Sequence, residues 1–123
     1  MAGKRNYRLT REAEADIEAI LEFTLNQFGT AQFAIYRDLL ADAFAALAGD
    51  PARIGTKPRP ELGKGVSTFH LHHMARRHDA ASHFIVFTVD AAREIKIVRI
   101  LHESMDLARH VRRTTSDEFG KKT

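Results

Sequence analysis

Apolar residues recur along this chain with two different periods. In the first half they follow a helical repeat. Ala13, Ile17, Ile20, Leu21, Thr24 and Phe28 form one stripe, and Phe33, Tyr36, Leu40, Ala43, Phe44 and Leu47 form a second. Thr10 stands where an N-cap belongs, with Glu12, Glu14 and Asp16 behind it at the positive end of the helix dipole. Gly29 separates the stripes, and Thr30 is placed to cap the second helix. Gly49 and Asp50-Pro51 close that helix, because proline cannot continue it. The pattern predicts two helices joined by one tight turn, an antiparallel hairpin. In the second half the period becomes strand-like. Residues 5–9 predict a short strand, and Val66–His72 another, with Phe69 and Leu71 on one face and His70 and His72 on the other. Ser82–Val89 is a dense β-branched and aromatic run, the signature of a buried central strand. Glu94–Leu101 is the last strand, after a turn at Asp90–Arg93. Residues 51–65 hold all three prolines and three of the seven glycines and read as a loop. The order β-α-α-β-β-β predicts an α+β fold: a small antiparallel sheet with an N-terminal helical hairpin packed on one face.

Length and composition narrow this picture. The chain has 123 residues, enough for one domain with a real core. A boundary near residue 108 divides that domain from a basic tail, 109–123, expected to be frayed or ordered only by a partner. There is no cysteine, so disulfides and thiolate metal sites are excluded. No apolar run approaches the ~20 residues of a membrane span. The N-terminus lacks a signal peptide's apolar segment, and a cytoplasmic location is expected.

Charge is distributed unevenly. Residues 10–50 carry two basic and eight acidic residues, while 51–99 carry nine basic and four acidic. Such a bipolar surface suits two partners of opposite charge. Histidine is uneven as well: five of seven fall between His70 and His83. His70 and His72, if on one strand face, begin a metal site, yet nothing enforces a third ligand. A solvated strand face and a basic loop fixed by Arg76 and Arg77 account for them better, and no metal or other cofactor is expected. His102 ends the last strand, where functional residues often emerge. Arg59 and Glu61 form either a partner contact or a local ion pair. Gly63 and Gly65 make no phosphate loop, since no strand leads in and no helix follows. Phe23, Leu25, Ile35 and Leu39 lie off the main helical stripes. They are hard to bury in two layers and suit a groove for a partner segment.

Several words in this order resemble the RelE/ParE superfamily of toxins from type II toxin–antitoxin systems, its ParE branch most of all. They are YRLTREAEADIEAI at 7–20, a glycine between the helices, PARIG at 51–55, RPELG at 59–63, and IVRILH at 97–102 followed by Met105-Asp106. The resemblance spans about residues 5–107. It implies a toxin that stalls DNA replication by poisoning DNA gyrase and is neutralised by a ParD-like antitoxin. In that setting the toxin acts as a protein inhibitor rather than an enzyme, and any nucleic acid is met through the gyrase–DNA complex. Contact with such a target would fall to the basic 51–99 region and the basic tail, through Arg76, Arg77, Arg99, His102, Arg112 and Arg113. Antitoxin contact would fall to the off-stripe Phe23, Ile35 and Leu39, and to Arg59. The RelE branch implies a different activity, ribosome-dependent mRNA cleavage. Arg76, Arg77, Arg99, His102 and Glu103 would then carry it, although the C-terminal tyrosine frequent in that branch is missing. A degenerate, non-toxic member that only binds antitoxin is the third reading.

Overall fold

The computed structural model describes residues 7–75 and 81–111. Strand β1 (Tyr7–Leu9) leads into helices α1 (Arg11–Phe28) and α2 (Thr30–Gly49). Strands β2 (Thr56–Pro58), β3 (Val66–His70), β4 (His83–Val89) and β5 (Ile95–His102) follow. They form one sheet in the order β1-β5-β4-β3-β2.

The α+β reading stands, and the sheet departs from the expected one in two ways. It has a fifth strand, because Thr56–Pro58 in the supposed loop pairs with Ser67–Phe69 of β3. Edge position explains why a proline is tolerated there: only one side of β2 needs ladder bonds. It is also mixed, since β1 runs parallel to β5 while all other pairs are antiparallel. The long excursion through α1 and α2 between β1 and the rest of the sheet allows that parallel pairing.

Local chemistry sets the helix ends. Thr10 caps α1 as expected, accepting the Ala13 N–H at 3.0 Å and donating its own hydroxyl to the Val98 carbonyl at 2.7 Å. Thr30 does not cap α2; it is the first helical residue, and Gly29 serves both helices. The Gly29 N–H reaches Leu25 O, and its carbonyl accepts from Phe33 N–H. At φ 92° and ψ −179° that backbone is open essentially to glycine alone.

The sheet is covered on both sides. Ala13, Tyr36, Leu40, Phe44 and Leu47 pack on Phe69, Ile85, Phe87, Ile95, Ile97 and Ile100. The opposite face holds Leu62, Val66, Val86, Val98, Leu101 and Val111. Burial on both faces is why β4 and β5 read as nearly unbroken apolar runs. Residues 107–111 are helical, and Val111 is fully buried. Packed structure therefore continues past the boundary read at 108.

Candidate functional site

Two exposed regions stand apart in charge and shape. The first is on the helical hairpin. Phe23, Phe28 and Ile35 are 60, 66 and 55% exposed, with Leu25 beside them in sequence at 39%. The Phe23 and Phe28 rings meet edge to face at 6.4 Å, so this part of the surface is contiguous. Leu39 differs: it is partly buried and packs on the core. Glu14, Glu18, Glu22, Asp38 and Asp42 are exposed on the same two helices. The hairpin that carries the aromatic pair is therefore net acidic.

The second region lies at the sheet end where β3, β4 and β5 expose polar groups. Here the structure assigns each candidate a local partner. Arg99 lies against α1, its guanidinium donating to Asp16 Oδ2 at 2.7 Å and Oδ1 at 2.9 Å. Asp16 also accepts the Ile100 N–H at 2.9 Å. The reason is topological. β1 pairs only with Ile95–Ile97, leaving the next part of the β5 edge without a strand. Thr10 and Asp16 satisfy that edge with side chains. The carboxylate beside it holds the Arg99 guanidinium above its ordinary pKa.

His102 Nδ1 accepts the Ser104 N–H at 3.1 Å and contacts its hydroxyl at 2.8 Å. Its ring stands edge to face with His83 at 5.3 Å. Glu103 is engaged by His70, Nε2 to Oε1 at 2.7 Å. His70 Nδ1 accepts the His72 N–H, which places the proton on Nε2. Arg59 pairs with Glu61 at 2.6 Å and reaches Thr68 Oγ1 at 3.3 Å, the local ion pair rather than an open contact. Arg76, Arg77, Arg112 and Arg113 lie outside the described residues.

Two groups had no signal in the sequence reading. Asp16 looked like an acidic first-turn residue. Tyr36 looked like core, yet its hydroxyl accepts the Ser82 N–H at 3.4 Å and shares a hydrogen bond with His83 Nδ1 at 2.7 Å. Burial pushes the Tyr36 phenol up, so it keeps its proton. Burial, with His102 and His70 nearby, pushes His83 down to about 4. His83 is therefore uncharged at neutral pH. The histidine cluster also differs from its expected geometry. β3 ends at His70, and Leu71–His73 is a single 3₁₀ turn, so His70 and His72 do not share a strand face. Among the described residues no three His, Asp or Glu side chains are placed to hold a metal. No described helix is long and apolar enough to cross a membrane.

Known proteins match this arrangement along most of its length. A toxin ParE of Escherichia coli is 36% identical over 102 residues, covering 82% of this chain and 87% of that protein. Toxin ParE1 of Caulobacter vibrioides is 29% identical over 105 residues, covering 85 and 96%. Among solved structures, one from the chromosomal ParDE system of P. aeruginosa superposes with a TM-score of 0.60 at 22% identity. It covers 81% of this chain and 97% of its own, and supports the fold. The profile of the ParE toxins of type II toxin–antitoxin systems, parDE, matches residues 7–107, and the chain belongs to that family.

Proposed function

We propose that this chain is the toxin of a type II module, poisons DNA gyrase in the cytoplasm, and is neutralised by a ParD-like antitoxin. The match of a ParE family profile to residues 7–107 carries this reading. The bipolar surface supports it, since a toxin must present one region to its target while another accepts its antitoxin. The exposed Phe23 and Ile35 are the antitoxin anchors in this reading, with Leu39 beneath them and Arg59 at a separate contact. Target contact falls to the basic side, through Arg76, Arg77, His102, Arg112 and Arg113. Arg99 contributes through its position beside Asp16. The mechanism is binding: the toxin stabilises the cleaved gyrase–DNA intermediate and carries out no bond-breaking step itself.

The test is induction of the chain in cells lacking antitoxin, with thymidine and amino-acid incorporation followed together. DNA synthesis is expected to fall first, with cleaved-complex DNA accumulating when purified gyrase is added to the toxin. An earlier fall in protein synthesis would replace gyrase with the ribosome as target. No effect on either would leave an antitoxin-binding member without toxicity.

A further inference from the structure

The most exposed large apolar side chain in the described structure is neither in the helical hairpin nor near His102. It is Ile54, 91% exposed, in the turn between α2 and β2. That turn is held firmly. Arg53 N–H donates to Asp50 O at 3.0 Å, and Ala52 N–H to the Asp50 carboxylate at 3.3 Å. The Arg53 carbonyl accepts from both the Thr56 N–H, at 3.1 Å, and the Thr56 hydroxyl, at 2.9 Å. Gly55 has φ +105°, and a Cβ there would lie 2.7 Å from the His73 ring. The imidazole thus packs directly on the turn backbone. A rigid turn holding out a branched apolar side chain has already met the ordering cost of presenting it.

The surroundings of Ile54 are cationic. Arg53 precedes it, with its guanidinium over the Phe69 ring at 5.6 Å, and Lys57 follows on exposed β2. Burial pushes the His73 imidazole below its usual pKa, and His72, His70, Arg53 and Lys57 add to that effect, so these groups share one field. Neither Arg53 nor Lys57 forms an ion pair among the described residues. Residues 50–75 carry four basic side chains and two acidic ones: Glu61, which Arg59 binds, and Asp50, whose carboxylate accepts the Ala52 N–H.

A single exposed isoleucine with Arg53 and Lys57 close by in sequence is a poor protein hot spot. Such spots sit inside contiguous, water-excluding patches of roughly 800 Å² per partner. It does match what duplex DNA accepts: one apolar wedge entering a base step, flanked by phosphates that need neutralising. We infer that the Arg53–Ile54–Gly55 turn is a direct duplex-DNA contact, in which Ile54 wedges between base pairs from the minor groove while Arg53 and Lys57 meet the adjoining phosphates. This goes beyond the gyrase reading and does not depend on it, because the contact belongs to the chain alone.

The experiment uses the purified full chain and a short A·T-rich duplex carrying one fluorescent adenine analogue that brightens when unstacked. Anisotropy of a second label reports binding at low salt. The wild type is expected to bind and to brighten the analogue. Ile54→Ala, whose side chain touches little else, should keep the melting temperature, lose the brightening and bind about tenfold more weakly. Lys57→Gln should lower the salt slope by about one while leaving the brightening in place. Binding without brightening, or an Ile54→Ala protein indistinguishable from wild type, overturns the wedge. Competition by polyglutamate as effective as unlabelled duplex overturns it in favour of an acidic protein segment. Gyrase is absent from the mixture, so failure here leaves gyrase poisoning untouched, and failure of gyrase poisoning leaves this contact standing.

Discussion

The helical hairpin and the turn at Ile54 both expose apolar side chains, but in opposite company. On α1, Phe23 and Phe28 touch each other, on a hairpin whose helices carry more carboxylates than cations. At residues 53–57 one isoleucine stands alone on a turn with Arg53 and Lys57 close by in sequence. The difference teaches that exposure by itself does not identify a partner. Contiguity decides whether a protein segment can gain enough buried area, and the sign of the rim decides which partners approach. The hairpin suits a folded or folding segment that lays several apolar anchors down at once. The turn suits a polyanion that accepts a single wedge.

Breaking the hairpin side should give the largest effect. Phe23→Ser combined with Ile35→Ser is expected to weaken binding of the ParD-like antitoxin by about 100- to 1,000-fold, because two clustered anchors are lost. Calorimetric titration checks this, and duplex-DNA binding by the same variant should be unchanged. Equal loss on both would mean that the two regions are not separate surfaces.

Asp16 is the link between the helices and the open β5 edge. Replacing it with alanine orphans the Arg99 guanidinium and the Ile100 N–H together. The expected cost is about 2–4 kcal/mol of stability, seen as a shifted midpoint in urea denaturation. A smaller loss would show that water or another group takes over the edge.

The Tyr36–His83 pair should make stability depend on pH. His83 is pushed down to about 4 in the fold, whereas its unfolded value is near the ordinary 6.5. Between those values the unfolded chain binds the proton and the folded chain does not. Stability is therefore fully present above pH ~6.5 and falls as pH drops toward about 4, by about 2 kcal/mol for this partly solvated site. His83→Phe should flatten that segment of the profile. A profile unchanged by the substitution would assign the slope to other groups.

The smallest effect is expected at Thr10. Thr10→Val removes the cap on α1 and the bond to Val98 O while keeping the volume, at a cost of about 1–2 kcal/mol. Thermal unfolding of the variant tests this. An effect near zero would mean that Asp16 alone suffices to hold the β5 edge.

Much of this was legible along the chain. The helical stripes, the glycine between them and the apolar runs of β4 and β5 follow from local chemistry and period. Phe23 and Ile35 could be singled out because they sit off those stripes, and both prove exposed. Leu39 was singled out by the same logic, yet it packs partly on the core, since period alone cannot tell how far a neighbouring element reaches. β2 was hidden because three residues that end in a proline carry no alternation. Arg99 read as a target contact because it lies in the basic 51–99 region and shows no partner in sequence. Its partner Asp16 lies 83 residues earlier.

By itself, then, the amino-acid order determined the two helices, the buried strands, the bipolar charge and the family, since each rests on neighbours a few positions apart or on words in a fixed order. Only the tertiary structure decided that β1 lies parallel to β5 and stops short, that Asp16 fills the gap, that burial keeps His83 neutral, and that Ile54 stands out on a tightly hydrogen-bonded turn. Those features arise from contacts between residues tens of positions apart, and from which edges and surfaces remain uncovered once the core has closed.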